Sequence, residues 1–281
     1  MRALAIPRRA ERLFRRNPAA TLAALWLLVI VIMGLVALLS RYDPITDVHV
    51  GQAELGPGPG HWLGTDHLGR DVLKRLALAC QFFVAPGMLA CLVSAAIAIP
   101  AGAIAGFEGG WIEAGIRWVF TVVASVPRFV LLLLVLSIYG DRLYLLAIAA
   151  GVAYAPTLAE AVFGRIEGLR SAEYVLANRA YGVPSWRILW VHLVWAASRR
   201  LVARHLVTLF GYYLVLETTL SYIGGFGVQE PMPSWGNMLA FDWGYSAWYA
   251  PQVLAPVVVL WVTIVAIAWV AETLGGEVAD A

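Results

Sequence analysis

SAEYVLANRAYGVPSWRIL, residues 171–189, lies inside a polar, arginine-rich insert from Arg165 to Arg204 that separates two apolar stretches, each long enough to span a membrane. The pattern predicts two short helices with a hard break between them. Ser171 is placed to cap the first helix and Gly182 to end it in a left-handed turn. Pro184 suits the first turn of the second helix, where its missing N–H costs nothing. Such a unit at one face of a membrane protein is a rigid knob. The part expected to transmit force runs from Ala177 to Trp186.

Outside the insert the chain is mostly apolar. Of its 281 residues, 61% are hydrophobic and 14% charged, and the mean hydropathy is +0.76; a soluble domain carries about 25% charged residues. About 20 apolar residues cross a core of about 30 Å. The runs that qualify are Ala19 to Leu39, Phe82 to Phe107, Gly115 to Ile138, Leu143 to Phe163, Leu201 to Ile223, and Val253 to Val270. The expected fold is therefore an all-α integral membrane protein with six transmembrane helices. Its organisation reads as a cytoplasmic segment over 1–18, a first span over 19–39, an extracytoplasmic loop with an interfacial helix over 40–81, a five-span core over 82–271 with the cytoplasmic loop at 165–200, and a tail over 272–281.

Orientation follows Lys and Arg near the spans rather than net charge. Arg2, Arg8, Arg9, Arg12, Arg15 and Arg16 precede the first span, and the insert adds Arg165, Arg170, Arg179, Arg187, Arg199, Arg200 and Arg204. The opposite side holds Arg41, Arg70, Lys74, Arg75 and Arg142. Both termini and the insert are therefore expected in the cytoplasm. Topology accounts for these arginines, so no nucleic acid is expected as a partner, whereas membrane lipid is. The first apolar run exceeds the 7–15 residues of a cleaved signal and reads as a signal anchor.

Several chemistries are excluded. Lys74 is the sole lysine and falls on the outer side, so no GxxxxGK[ST] phosphate loop exists and the chain does not hydrolyse ATP. His49, His61, His67, His192 and His205 show no metal-ligand spacing, and Cys80 and Cys91 form no CxxC. Eleven residues of helix separate those cysteines by about 16 Å, too far for a disulfide. No G-x-S-x-G elbow supplies a nucleophile. No metal and no catalytic residue are expected.

In the outer loop, WLGTDHLGRDVLKRL (residues 62–76) follows the irregular GPGPG segment. Thr65 is placed to cap an interfacial helix with Leu68, Val72, Leu73 and Leu76 on one side, and with Asp66 and Arg70, then Asp71 and Arg75, paired at i and i+4 on the other. That helix either anchors the outer face or contacts ligand. Pro100, Pro127 and Pro156 fall inside three successive spans, where each loosens backbone pairing. The third and fourth spans meet around Gly140, Asp141 and Arg142 and form a hairpin. Arg128 and Glu217 are charges within spans, each costing about 2.5–3.5 kcal/mol at the midplane. They either pair with each other or line a polar pathway. Beyond the fifth span, YIGGFGVQEPMPSWGNM (residues 222–238) leads to Trp243, Tyr245, Trp248 and Tyr249. It reads as a partly re-entrant loop closing the outer mouth.

Three motifs in this order carry a resemblance: RRNPAA with LGTDHLGRDVLKRL, then AGFEGGW between the second and third spans, then LVLETTLSYIGGFGVQEPMPSWGNML. Together they resemble the permease subunits of bacterial dipeptide, oligopeptide and nickel ABC importers over nearly the whole chain. The resemblance implies the type I ABC importer permease fold in a bacterial inner membrane. It implies a second homologous permease subunit, two ATPase subunits or domains that use ATP and Mg, and an extracytoplasmic substrate-binding protein, with no cofactor bound by this chain. It makes the insert an ATPase-coupling loop, carried by Tyr174, Ala177, Asn178, Ala180, Gly182, Val183, Pro184, Ser185 and Trp186. The family's outer-loop motif falls on Gly64, Thr65, Asp66, Gly69, Arg70, Asp71, Pro233, Ser234, Trp235 and Gly236. The general E-A-A-x-x-x-G pattern is replaced at Leu176, Ala177 and Asn178, Trp195 stands where a proline is usual, and SYIGGFGVQ is one residue longer than the usual loop. The competing reading is a self-sufficient secondary transporter or channel, which calls for internal repeats and a charged relay.

Overall fold

The computed structural model describes residues 17–40, 42–140, 142–245 and 250–275. The six N-terminal arginines, Arg41, Asp141, Trp248 and Tyr249 lie outside the described residues, as do the side chains of Trp243 and Tyr245. Among the described residues the chain is nearly all helical, and its extended pairing consists of two isolated bridges, Gly58 to His61 and Thr65 to Asp71. The helices are α1 (Pro18–Leu39), α2 (Val72–Glu108), α3 (Gly110–Ser125), α4 (Arg128–Tyr139), α5 (Leu143–Leu169), α6 (Glu173–Ala180), α7 (Ser185–Ile223), α8 (Trp235–Tyr245) and α9 (Pro251–Gly275).

Five of them, α1, α2, α5, α7 and α9, are long and apolar enough to cross a membrane. Helices α3 and α4 reach that length only together, bent by 73° at their break. Pro127 causes the bend: Val126, the residue before it, is driven to extended backbone at φ −86° and ψ 127°. Counting the bent pair as one crossing, the expected six spans are present.

Their ends differ from the sequence expectation, and always in one direction. The second span was expected from Phe82, but its helix starts at Val72; the fourth continues past Phe163 to Leu169; the fifth starts at Ser185 rather than Leu201. Hydropathy marks where a helix leaves the hydrocarbon, whereas backbone hydrogen bonding continues until a cap or a breaker stops it. The insert is accordingly shorter than expected, with residues 170–184 lying between the two long helices. Within α7, residues Ile188–Ser198 take the wider π register. The Ser198 hydroxyl follows it, donating to the Leu193 carbonyl five residues back at 2.8 Å.

The chain divides into two compact units, one of residues 1–87, 139–143 and 211–273, the other of residues 88–138, 144–210 and 274–281. In the first, α1 meets α9 through Trp26 Nε1 donating to Thr263 Oγ1 at 2.9 Å, and Gly34 lets α1 approach Cys80 on α2. In the second, Gly102 and Gly106 on α2 face the Ala159 and Phe163 carbonyls of α5, where an added Cβ would sit 2.4 and 2.7 Å from the oxygens. Small residues four apart let membrane helices touch backbone to backbone. The core built on this contact holds Ala98, Ala103, Phe107, Leu158, Val162 and Ile166, and it receives Val175, Ile188 and Leu193 from the insert side.

Candidate functional site

The coupling knob belongs to the second unit. Helix α6 ends as the sequence predicts: Gly182 has φ +77°, the Val183 N–H reaches the Asn178 carbonyl at 2.9 Å, and the Gly182 N–H reaches the Arg179 carbonyl at 3.0 Å. This is the Schellman pair of bonds, and it requires the left-handed backbone that glycine adopts without strain. Asn178 also donates from Nδ2 to the Tyr174 carbonyl at 2.7 Å. Ala172 rather than Ser171 stands at the N-cap, with no side-chain bond, and Pro184 is the N-cap of α7 rather than its first helical residue.

The knob is held from beneath. Val175 and Ile188 are fully buried in the second unit's core, with Ala172 and Val183 packed against it, and the Arg179 guanidinium lies over the Phe107 ring at 5.1 Å. Its outer surface is apolar and open: Tyr174, Leu176, Tyr181 and Trp186 are exposed, together with Ala177, Ala180, Gly182, Pro184 and Ser185. Burial pushes the Tyr174 phenol pKa up, against the pull of Arg165. An exposed row of aromatics on a rigid, anchored base is a surface made for a protein partner.

The outer-loop motif belongs to the first unit and is organised around charge. Asp66, fully buried, accepts from Arg70 Nε and from Arg75 Nη1, both at 2.7 Å. Glu230 closes the square, accepting from Arg70 Nη1 at 2.7 Å and Arg75 Nη2 at 2.6 Å. Two carboxylates and two guanidiniums cancel, which is what allows all four to leave water. Burial alone would lower the Arg70 pKa; hydrogen bonding and attraction from Glu230, then from Asp66, raise it above the ordinary arginine value.

The interfacial helix expected from Thr65 is absent. The other Asp66 oxygen accepts from the Leu68 and Arg70 N–H groups, and Gly69 turns at φ +76° against the His49 backbone. Gly64 likewise turns against Leu55, and the Thr65 hydroxyl serves Gln52 and Leu55. The helix cap is Asp71, whose Oδ1 accepts from the Lys74 N–H at 2.9 Å. Its Oδ2 meets His61 at 2.9 Å, so the expected Asp71–Arg75 pair does not form.

Pro233, Ser234, Trp235 and Gly236 start α8, each with a separate task after the proline. Ser234 Oγ accepts from the Gly236 and Asn237 N–H groups, and Asn237 Oδ1 accepts from the Ser234 N–H. This is a reciprocal capping box. Trp235 is buried against Phe83 with ring centroids 4.6 Å apart and donates to the Leu76 carbonyl at 3.2 Å. Gly236 lies so close to α7 that an added Cβ would be 2.0 Å from the Thr218 carbonyl oxygen. Asn237, which the sequence reading did not single out, also donates to the Val228 and Met232 carbonyls and so closes the loop.

The two charges within spans have partners inside their own units. Glu217, 1% exposed, accepts from Ser221 Oγ at 2.8 Å, and that hydroxyl accepts from the Val228 N–H at 2.9 Å. Arg128, at the bend, hydrogen-bonds through Nη2 to Thr157 Oγ1 and lies over the Tyr154 ring at 4.5 Å. Among the described residues no group of three or more His, Cys, Asp and Glu is arranged to hold a metal.

Comparison with known proteins agrees with this geometry. The family described as binding-protein-dependent transport system inner membrane component matches residues 98–278. The chain is 34% identical over 235 residues to the oligopeptide transport system permease protein OppC of Mycobacterium tuberculosis, covering 82% of this chain and 79% of that one. It is 30% identical over 226 residues to the OppC of Bacillus subtilis, with 80% and 73% covered. To the glutathione transport system permease protein GsiD of Pectobacterium atrosepticum it is 29% identical over 229 residues, with 81% and 75% covered. Its helices form the type I ABC importer permease fold, and the chain belongs to the family of inner-membrane components of binding-protein-dependent transport systems.

Proposed function

We propose that this chain pairs with a second, homologous permease subunit and that the two form the translocation pathway of an ATP-driven importer for a peptide or another small polar solute. Two ATPase subunits or domains, which bind ATP and Mg, dock on the exposed face between Tyr174 and Trp186. A binding protein delivers solute to the outer loops. Both termini lie in the cytoplasm with the knob. ATP-driven closure of the motor displaces the knob, and the helices continuous with it tilt between inward-open and outward-open states. No residue of this chain performs covalent chemistry, since the sole lysine is not in a phosphate loop.

One observation carries the reading. The knob shows Tyr174, Leu176, Tyr181 and Trp186 outward while Val175 and Ile188 seat it in the same core as α2 and α5, so a push on its surface reaches the spans without loss in a flexible joint. The oligopeptide and glutathione permeases to which the chain is similar support the solute class. The test is co-purification with the cognate ATPase. The intact chain retains it, and the double substitution Gly182→Val with Pro184→Ala abolishes it while leaving the permease folded by size-exclusion profile. Retention of the ATPase by the doubly substituted chain, or uptake that proceeds without any ATPase, overturns the proposal.

A further inference from the structure

On α5, Tyr154, Thr157 and Glu160 succeed one another at three-residue spacing and share one face. Two arginines from the bent pair lie over that face. Arg128 is bonded to Thr157 and stacked on Tyr154. Arg117 lies 3.3 Å from Glu160 and 3.3 Å from Glu113, and over the Phe163 ring at 4.8 Å. All of these residues belong to one compact unit.

Three features distinguish this strip from a packing contact. First, it is open: Arg117 and Glu160 are each 47% exposed at the side chain, within helices that are otherwise apolar. Second, it is deep: Thr157 lies about 21 Å and Glu160 about 26 Å along α5 from its start at Leu143. Charged groups at such depth face protein or a water-filled cavity rather than lipid. Third, it is ordered in sign. Among the described residues Arg128 has no carboxylate within ion-pair distance, which leaves +1 at the Thr157 level, whereas Glu113, Arg117 and Glu160 together leave −1 one turn further along.

We infer that the Tyr154–Thr157–Glu160 face is the solute track of this subunit, and that its two charged points suit a small zwitterion, the carboxylate meeting Arg128 and the ammonium meeting Glu160. The inference rests on the permease reading above and adds to it the residues and the solute charge. Tyr154 and Thr157 hold the guanidinium at the track without neutralising it. A carboxylate therefore finds a full positive charge there. The pair around Arg117 leaves one acidic equivalent for a cation, and because the two points sum to zero, a zwitterion passes without trapping either charge.

The charge order is readable without knowing the natural solute. In the full transporter with Cys80→Ala and Cys91→Ala, single thiols are introduced by Thr157→Cys or by Gly164→Cys, a position exposed one turn beyond Glu160 with open space around it. Each is treated with a methanethiosulfonate carrying either a sulfonate or a trimethylammonium group. The Thr157→Cys thiol reacts about tenfold faster with the anionic reagent, and the Gly164→Cys thiol about tenfold faster with the cationic one. Adding Arg128→Gln to Thr157→Cys collapses the first ratio, and Arg128→Lys restores it. Equal rates for both reagents overturn the inference. So does protection of both thiols in resting and nucleotide-trapped states, which would place the strip in a sealed contact with the second permease. Binding-protein-stimulated ATPase activity, measured on the same preparation, reports separately on the importer reading.

Discussion

In the knob, Tyr174, Leu176, Tyr181 and Trp186 face outward over a small apolar base, whereas in the outer loop Asp66, Arg70 and Arg75 are buried and the surface is made by turns. The two regions reverse the usual placement of apolar and charged side chains for different reasons. The knob keeps its apolar surface for a partner and is shaped by the backbone alone, through the glycine that ends α6. The outer loop has little apolar core, so a neutral square of ion pairs holds together segments about 160 residues apart in sequence, as the Arg70–Glu230 bond records. The expectation that follows is a separation of effects: substitutions in the outer loop unfold the protein, and substitutions in the knob uncouple it.

The hardest test of that separation is Asp66→Ala. It leaves Arg70 and Arg75 buried with Glu230 as their one carboxylate, a loss of about 3–5 kcal/mol for a broken buried network. The expected outcome is collapse of the yield of folded protein in detergent, with Asp66→Asn intermediate. A thermal midpoint unchanged in Asp66→Ala would mean that the square contributes nothing and the comparison fails. Gly236→Ala comes next: a methyl 2.0 Å from the Thr218 oxygen cannot be accommodated without moving α8 from α7, at about 1–3 kcal/mol. Its effect is also read as a lowered midpoint, with coupling intact in whatever protein folds.

Gly182→Ala tests the other side. Nothing lies within 4 Å of the added Cβ, so the whole effect is the backbone at φ +77°, about 1–2 kcal/mol for a left-handed alanine. That strain is relieved by unwinding the end of α6, not by opening the core beneath it. Binding-protein-stimulated ATPase activity should fall about fivefold to thirtyfold, while the thermal midpoint moves less than in Gly236→Ala. Equal losses of midpoint in the two variants would erase the distinction between the regions.

The same contrast explains what could be read from sequence. The end of α6 was legible because a Schellman turn is written in adjacent residues, glycine first and proline soon after. The spacing of Asp66 and Arg70 was legible as a pair, and the pair forms, but on a turn rather than a helix, because the Asp66 side chain takes the backbone N–H groups of Leu68 and Arg70. Glu230 was not legible at all: no local pattern connects a residue before a proline to arginines at positions 70 and 75. The long helices were underestimated because Arg165, Glu167 and Arg187 interrupt hydropathy without interrupting helical hydrogen bonding. Arg128 and Glu217 were visible as costly charges, but whether each would find polar partners near itself or across the bundle depends on packing that a linear pattern does not encode. Asn237 looked like an ordinary loop residue; the signal that would have found it is the S-x-x-N spacing from Ser234, a capping box written with asparagine.

That box gives the finest test, because its two members make different numbers of bonds. Ser234→Ala removes the acceptor of the Gly236 and Asn237 N–H groups, at about 1 kcal/mol for a lost N-cap, and leaves Asn237 in place. Asn237→Ala removes the acceptor of the Ser234 N–H and both donors to the Val228 and Met232 carbonyls. Those two carbonyls are then left without this donor beneath the loop, and an unmet buried acceptor costs about 1–3 kcal/mol. Asn237→Ala should therefore lower the thermal midpoint more than Ser234→Ala, although serine is the residue that caps the helix. It should also accelerate proteolysis between Gly224 and Met232, which Ser234→Ala leaves nearly unchanged. The reverse order would mean that α8 organises the loop through its cap, and that the loop closes without the amide.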